Sequence, residues 1–295
     1  MRIGMVLKHI LSGVLYYSGL TDFFMHRDKR GIILCYHHVL PEGDERIGFL
    51  QPGMYVTSNT FEMHIRYLSE HFDFIGLEHW SKSLKNKQCI ITFDDGWADN
   101  YEYAYPILKK HGVPATFFVT TNCIGSGRWP WPDRLSYYIH ASSAHDVLLM
   151  HKKVLTALSK KLPSMDKTSI EVNNRFVAVE EIVSLVKLLS HEEIITFMRQ
   201  IDLVMQAHNK KMELNRPWMT WDEISEMSSN NMLFGSHTHN HVILTGTSLK
   251  ESREEIQYSR GILANKLCKP ITTFCYPNGY YHHDIVSILE GLEFR

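Results

Sequence analysis

The sequence predicts an α/β fold in which a parallel sheet is covered by helices, either doubly wound or closed as a barrel, with the barrel favoured by the chemistry read below. Three observations point there. Short apolar runs rich in β-branched residues alternate with segments of helical periodicity. Hydrophobic residues make up 44% of the chain, enough for a real core. Four polar clusters follow directly on the strand-like runs: Tyr36-His37-His38, Asp94-Asp95-Gly96, Ser236 through His241, and Tyr276-Pro277-Asn278-Gly279. Sites in such folds assemble at the carboxyl ends of strands, so the four clusters mark one end of one sheet.

The elements follow in order. Gly31 to Tyr36 reads as a buried parallel strand, and Asn59 with Glu62 opens a helix carrying Phe61, Ile65 and Leu68 on one face. Phe72 to Leu77 and Cys89 to Phe93 read as strands. A helix then runs from Tyr101 to Lys110, kinked or restarted at Pro106, before a strand from Pro114 to Thr120. From about 133 to 217 strands thin out and the pattern is mainly helical. There Ile182, Leu185, Val186 and Leu189 share a face, and Ser190 with Glu193 forms a capping box for the next helix. Alternation resumes with a cap at Thr220 and Glu223, a strand at Met232 to Gly235, and a long helix opened by Ser248 and Glu251. A strand at Ile271 to Tyr276 and a helix at Asp284 to Leu289 complete the pattern.

Lys plus Arg total 31 against 32 for Asp plus Glu, a net charge of −1, which argues against nucleic acid as the partner. Five cysteines, an odd number without a CxxC pair, argue against a disulfide-stapled secreted domain and read mostly as small buried hydrophobes. The apolar stretch Ile10 to Leu20 is shorter than the roughly 20 residues a bilayer span needs, and no A-x-A cleavage site follows it. Residues 1–30 are therefore expected to form an amphipathic segment lying on the protein or touching a membrane surface peripherally. The expected location is cytoplasmic or membrane-peripheral.

The clusters carry chemistry. His237 and His241 are four apart, so a helical turn would place both imidazoles on one side, and a carboxylate would complete an open N/N/O metal site. The same residues also suit a polar loop in a chain with 18 histidines. In Asp94-Asp95, neighbours leaving a strand point in different directions, so one carboxylate can hold a metal while the other faces water. A helix cap would use the same pair. Gly96 permits a sharp turn beside them.

Thr92-Phe93-Asp94-Asp95-Gly96, with Pro114 to Thr120 and Ser236 to His241 downstream, resembles the polysaccharide deacetylase or NodB-homology family over roughly 31–295, apart from the helical insertion. That resemblance implies an irregular (β/α)7 barrel. It also implies a metal ion, usually zinc (Zn2+), held by Asp95, His237 and His241, with Asp94 as general base. The implied activity is removal of an N-acetyl group from an amino sugar in a bacterial surface glycan. Cys35 to Val39 resembles the early motif of the circularly permuted branch acting on poly-N-acetylglucosamine, which implies His37 as general acid, with His38 as the fallback. The late histidine that many members use has no counterpart up to Arg295, where the chain ends like a helix stop before another strand. Cys275 stands where the family often carries the Arg that orients the base, leaving Asp94 in need of another partner.

The backbone N–H of Asn278 is expected to support an oxyanion, with Tyr276 beside it on the substrate side. Trp129 and Trp131, in Arg-Trp-Pro-Trp-Pro-Asp-Arg, suit stacking on sugar rings or packing of the insertion. A deformylase or cyclic-amide hydrolase would use the same site. A non-catalytic glycan-binding protein is the alternative of a different class.

Overall fold

A computed structural model describes residues 31–80, 87–159, 170–208 and 216–295; the amphipathic segment expected at 1–30 lies outside the described residues. The described residues form seven strands: β1 (Ile32–Tyr36), β2 (His38–Leu40), β3 (Tyr55–Thr57), β4 (Asp73–Phe74), β5 (Gln88–Phe93), β6 (Ala115–Val119) and β7 (Leu233–Ser236). The main sheet is parallel in the order β1-β5-β6-β7, with β4 paired to the first two residues of β5. β2 and β3 form a separate parallel pair that the sequence pattern did not reveal. The chain is thus an α/β fold. β5 and β6 are buried almost throughout, as strands covered on both faces must be. Stacked rings of Phe93, Phe117 and Phe234 tie three neighbouring strands together, with centroids 4.7 and 5.6 Å apart.

Among the described residues there are nine α-helices: α1 (Ser58–Ser69), α2 (Tyr105–His111), α3 (Trp131–Ala141), α4 (Ala144–Ser159), α5 (Arg175–Val186), α6 (His191–Ala207), α7 (Trp221–Ser229), α8 (Leu249–Leu267) and α9 (His283–Gly291). α1 buries Phe61, Ile65 and Leu68, the face its periodicity predicts, but its cap is Thr57, whose side chain accepts from the Thr60 N–H. The capping boxes at Ser190, Thr220 and Ser248 are all formed. Helices α3 to α6 follow one another between β6 and α7 and share an apolar cluster distinct from that of the sheet.

Three expected elements differ. Of Phe72 to Leu77 only Asp73 and Phe74 pair as strand before a 3-10 turn at Leu77–His79. The helix around Pro106 begins as a π-helical turn, Asn100–Ala104. Pro106 lacks an N–H and its ring crowds the carbonyl of Glu102, which favours the wider turn. The strand at Ile271 to Tyr276 is reduced to a bridge between Ser236 and Phe274, held by Ser236 N–H to Thr273 O and Cys275 N–H to Ser236 O, both 3.0 Å. It lies between Pro270 and Pro277, neither of which has an N–H to extend a ladder.

Parallel pairing puts the ends of β1, β5, β6 and β7 at one edge. Tyr36 is opposite Phe93, Phe93 opposite Phe117, and Val119 opposite Ser236. His37, Asp94, Thr120 and His237 leave the sheet side by side.

Candidate active site

Backbone hydrogen bonds fix the loops at this edge. Asp94 N–H donates to Tyr36 O, Thr120 N–H to Asp95 O, and His237 N–H to Val119 O, at 3.0 to 3.1 Å. Asp95 adopts φ +75°, and Gly96 follows at φ +96°, where a Cβ would sit 2.9 Å from the Ile124 side chain. This turn sends the two carboxylates apart. Beyond β7 the chain makes no helical turn between His237 and His241. It forms an irregular loop in which Thr238 and His241 take φ of +65° and +56°. A β-branched residue at positive φ is held there only by its surroundings, and Thr238 is fully buried. The imidazoles converge through that backbone path, with ring centroids 5.0 Å apart.

Three donor atoms face one another. Asp95 Oδ1 is 3.4 Å from His237 Nε2 and 3.1 Å from His241 Nε2. Ligands of a tetrahedral zinc ion bound at about 2.0–2.1 Å stand about 3.3 Å from each other, so the set has the spacing of an ion's coordination shell. Asp95 Oδ1 and Asp94 Oδ1 are buried and, among the described residues, make no hydrogen bond that satisfies them. Leaving such oxygens bare is costly, and a cation with its water would satisfy both. The residues therefore fit a divalent metal.

The surrounding contacts aim the ligands. Trp97 Nε1–H donates to Asp95 Oδ2 at 3.0 Å, and His237 Nδ1–H donates to the Cys275 carbonyl at 2.9 Å, which turns the His237 Nε2 lone pair toward the triad. Burial alone would raise the Asp95 carboxyl, but the imidazoles of His237 and His241 outweigh it and hold it well below its usual range. Burial likewise opposes charge on His237, yet Asp95 and Cys275 raise it well above an ordinary imidazole.

His37 is half-buried at the end of β1, and its charge helps to lower Asp95. Its carbonyl accepts from Asn100 Nδ2 at 2.7 Å. His38, the fallback acid, is buried and committed elsewhere. Its Nδ1 is 2.8 Å from Asp99 Oδ2, and its ring lies 4.0 Å from that of Trp97. Asp99 also accepts from Val39 N–H and Arg46 Nη1, so it anchors the start of β2.

Tyr276 is half-buried between Phe274 and Tyr281, and Asn278 is exposed at φ +59° in a 3-10 turn, Pro277–Gly279. Among the described residues Asn278 makes no hydrogen bond to the triad. Trp131 is half-buried at the start of α3. Trp129 is not an open face for a sugar; it takes the packing alternative. It is buried beside Trp97, at 5.8 Å, in a cluster completed by Trp218, so its ring packs the protein.

Three site residues had been passed over. Cys35 and Cys275, read as apolar filler, both place Sγ on Asp94 Oδ2, at 3.3 and 3.5 Å. Their position beside a strand-end motif and in the stretch that normally supplies Arg was the available signal. Asp133, in the first turn of α3, is the third. Burial pushes its carboxyl up to about 6, with His38 opposing and Asp95 adding to the rise. Chemically, the ensemble offers three donor atoms that fit a divalent metal, a carboxylate with one bare oxygen, and a half-buried imidazole.

The chain is similar to several known proteins. The chain is 34% identical over 100 residues to YxkH of Bacillus subtilis. It is 36% identical over 77 residues to the poly-beta-1,6-N-acetyl-D-glucosamine N-deacetylase of Staphylococcus epidermidis, and 30% over 129 residues to that of Staphylococcus aureus. These matches cover 32%, 24% and 38% of this chain and only 33%, 27% and 43% of the relatives. Among solved structures, the deacetylase PplD of Streptococcus pyogenes superposes with a TM-score of 0.53 at 19% identity, covering 90% of this chain and 81% of that one. IcaB of Ammonifex degensii gives 0.52 at 18%, covering 90% and 82%. At those identities the likeness is one of fold. The family model for polysaccharide deacetylase matches residues 81–174 and 184–295, most of the chain, and the chain belongs to the polysaccharide deacetylase family.

Proposed function

We propose that the protein removes the N-acetyl group from an amino sugar in a glycan, with one divalent ion, zinc, held by Asp95, His237 and His241. One observation carries the reading: Asp95 Oδ1 stands 3.4 and 3.1 Å from Nε2 of His237 and His241 on a distant loop, the three donors within 4.8 Å of one another, beside the bare Asp94 Oδ1. When bound, the ion supplies Lewis-acid polarisation of the acetyl carbonyl and makes water easier to deprotonate. Asp94 takes the proton of the attacking water at Oδ1. Trp97 and the Cys275 carbonyl keep Asp95 and His237 aimed at the ion. His37 gives its proton to the departing amine, freeing acetate and an amino sugar. The Asn278 N–H supports the charge that develops on the carbonyl oxygen, with Tyr276 beside it and Trp131 as a wall for the sugar.

The substrate we infer is an N-acetylated saccharide polymer, the class for which the staphylococcal relatives are named. The sheet is read as an irregular (β/α)7 barrel with the helices from about 133 to 217 inserted into it. Curvature supports this. β1 and the Phe274 segment are four strand steps apart, about 19 Å in a flat sheet. Yet Cys35 and Cys275 reach the same Asp94 oxygen. Among the described residues no helix is long and apolar enough to cross a membrane, and peripheral membrane contact through residues 1–30 remains part of the proposal.

The test is acetate release from N-acetylglucosamine oligomers before chelation, after it, and after zinc is returned. Activity should vanish and recover. Acetate release undiminished by chelation contradicts the metal mechanism. Formate release from N-formyl sugars in place of acetate selects the deformylase, and a protein that holds no metal and releases neither is a glycan binder.

A further inference from the structure

We propose that Cys35 and Cys275 are positioning residues for the base, two neutral thiols gripping one oxygen of Asp94 so that the other faces the attacking water; the inference rests on the deacetylase reading above. Both Sγ atoms lie within hydrogen-bonding distance of the same atom, Oδ2, at 3.3 and 3.5 Å, while Oδ1 of the same carboxylate is buried and bare. That asymmetry is what a base requires. The terminal torsion of an Asp side chain is broad and nearly two-fold, so a carboxylate without donors on one oxygen exchanges its two oxygens freely. Two donors on Oδ2 remove that freedom and leave the Oδ1 lone pairs in place.

The grip comes from both edges of the sheet. Cys35 lies on β1, paired with Thr92 of β5, two residues before Asp94. Cys275 arrives from the opposite end of the strand order, anchored by its N–H on Ser236 O. Its carbonyl meanwhile accepts from His237 Nδ1. One residue thus sets a metal ligand through its backbone and the base through its side chain. Only the second task depends on residue type. A thiol is a weak, uncharged donor, so the pair orients the carboxylate without forming an ion pair with it.

The experiment compares the zinc-loaded wild type with Cys35→Ala, Cys275→Ala, the double Ala variant and the double Ser variant. The double Ala variant should lose about tenfold or more in kcat with KM and zinc content unchanged, because substrate and metal contacts are untouched. Each single variant should lose part of that, and the double Ser variant, which restores an O–H donor at each place, should recover most of it. A double Ala variant as active as wild type overturns the proposal, as does a double Ser variant no better than Ala. Loss of zinc in Cys275→Ala overturns it differently, by making Cys275 a ligand together with Asp94 and His237, which lie within 4.8 Å of it. A second measurement needs no turnover. The infrared S–H stretches of Cys35 and Cys275 should move toward the unbonded position in Asp94→Ala, and unmoved bands overturn the proposal even if no glycan proves to be a substrate. Inactive wild type with shifted bands would instead defeat the deacetylase reading alone.

Discussion

Asp94 and Asp95 are adjacent and chemically identical, and their surroundings alone divide their work. Asp95 sits between two imidazoles and the Trp97 N–H, whereas Asp94 faces two thiols and keeps Oδ1 bare. Asp95→Ala and His241→Ala should therefore lose bound zinc and activity together. Asp94→Asn should keep zinc and lose about 10²–10⁴-fold in kcat, which metal analysis and acetate release on the same preparations will check. Asp133 gives a second expectation. Its carboxyl rises from 3.8 in the unfolded chain to about 6 in the fold, so the folded protein holds that proton more tightly. Its ionisation therefore costs stability progressively as pH climbs from about 4 through 6. In metal-free protein at pH 7.5, Asp133→Asn should stabilise by on the order of 2 kcal/mol, a gain that shrinks on acidification and closes below about pH 4. Urea melts at both ends of that range will decide, and an equal gain at pH 4 and 7.5 would exclude it. At this scale the sequence was readable where chemistry is local to a motif. The histidine pair and the Asp94-Asp95 pair could be singled out by type and spacing, and the family resemblance pointed to Asp95 as the ligand. The thiols could not, because their meeting on Asp94 depends on pairing between segments that lie 59 and 181 residues from it.

Elements set these side chains by their ends. β7 is short, and Gly235 near its end has no room for a side chain: a Cβ there would lie 2.6 Å from the Phe118 ring and from Thr273 Oγ1. This close approach lets Thr273 and Cys275 bridge to Ser236, which brings the second thiol to the base. Gly235→Ala should destabilise by about 1–3 kcal/mol through overpacking and also depress kcat, measured by denaturant melts and acetate release. A variant with wild-type stability would mean that the strands can spread at no cost. Capping offers a cleaner element-level check. Ser190 accepts from Glu193 N–H while Glu193 returns to Ser190 N–H at 2.7 Å, and α6 lies away from the site. Ser190→Ala should cost about 1 kcal/mol and leave turnover alone. The capping boxes were legible because two residues three positions apart carry the whole interaction. The β2–β3 pair, the shortened β4 and the π turn before Pro106 were not, since each is decided by distant packing or by a backbone path that periodicity does not encode. The loop from His237 to His241 shows the same limit from the other side: the two imidazoles do converge, but through positive φ angles instead of a helical turn.

Among the described residues the two largest apolar cores lie one under the sheet and one among α3 to α6, with Trp129 in a smaller cluster beside Trp97 and Trp218. Only the first lies beneath the loops that would bind zinc. An ion that binds the folded state and not the unfolded one stabilises by mass action, about 4 kcal/mol at a thousand times its dissociation constant. That stabilisation should not be spread evenly. The ligands come from the ends of β5 and β7, whose amides open only when the sheet does, whereas α4 to α6 share their own apolar cluster with α3, are tied to the loop before β3 by Gln51 Nε2–H donating to Phe176 O, and are expected to open as a separate cooperative unit. Hydrogen exchange on zinc-free and zinc-loaded protein should therefore show rising protection in β5, β6 and β7, with α4 to α6 nearly unchanged. Asp95→Ala should abolish the difference. If zinc slowed exchange equally in both cores, the helices and the sheet would be one cooperative unit, and reading residues from about 133 to 217 as an insertion with its own stability would fail. If zinc slowed exchange in neither, the three converging donor atoms would not be a metal site, and the proposed hydrolysis would lose its Lewis acid.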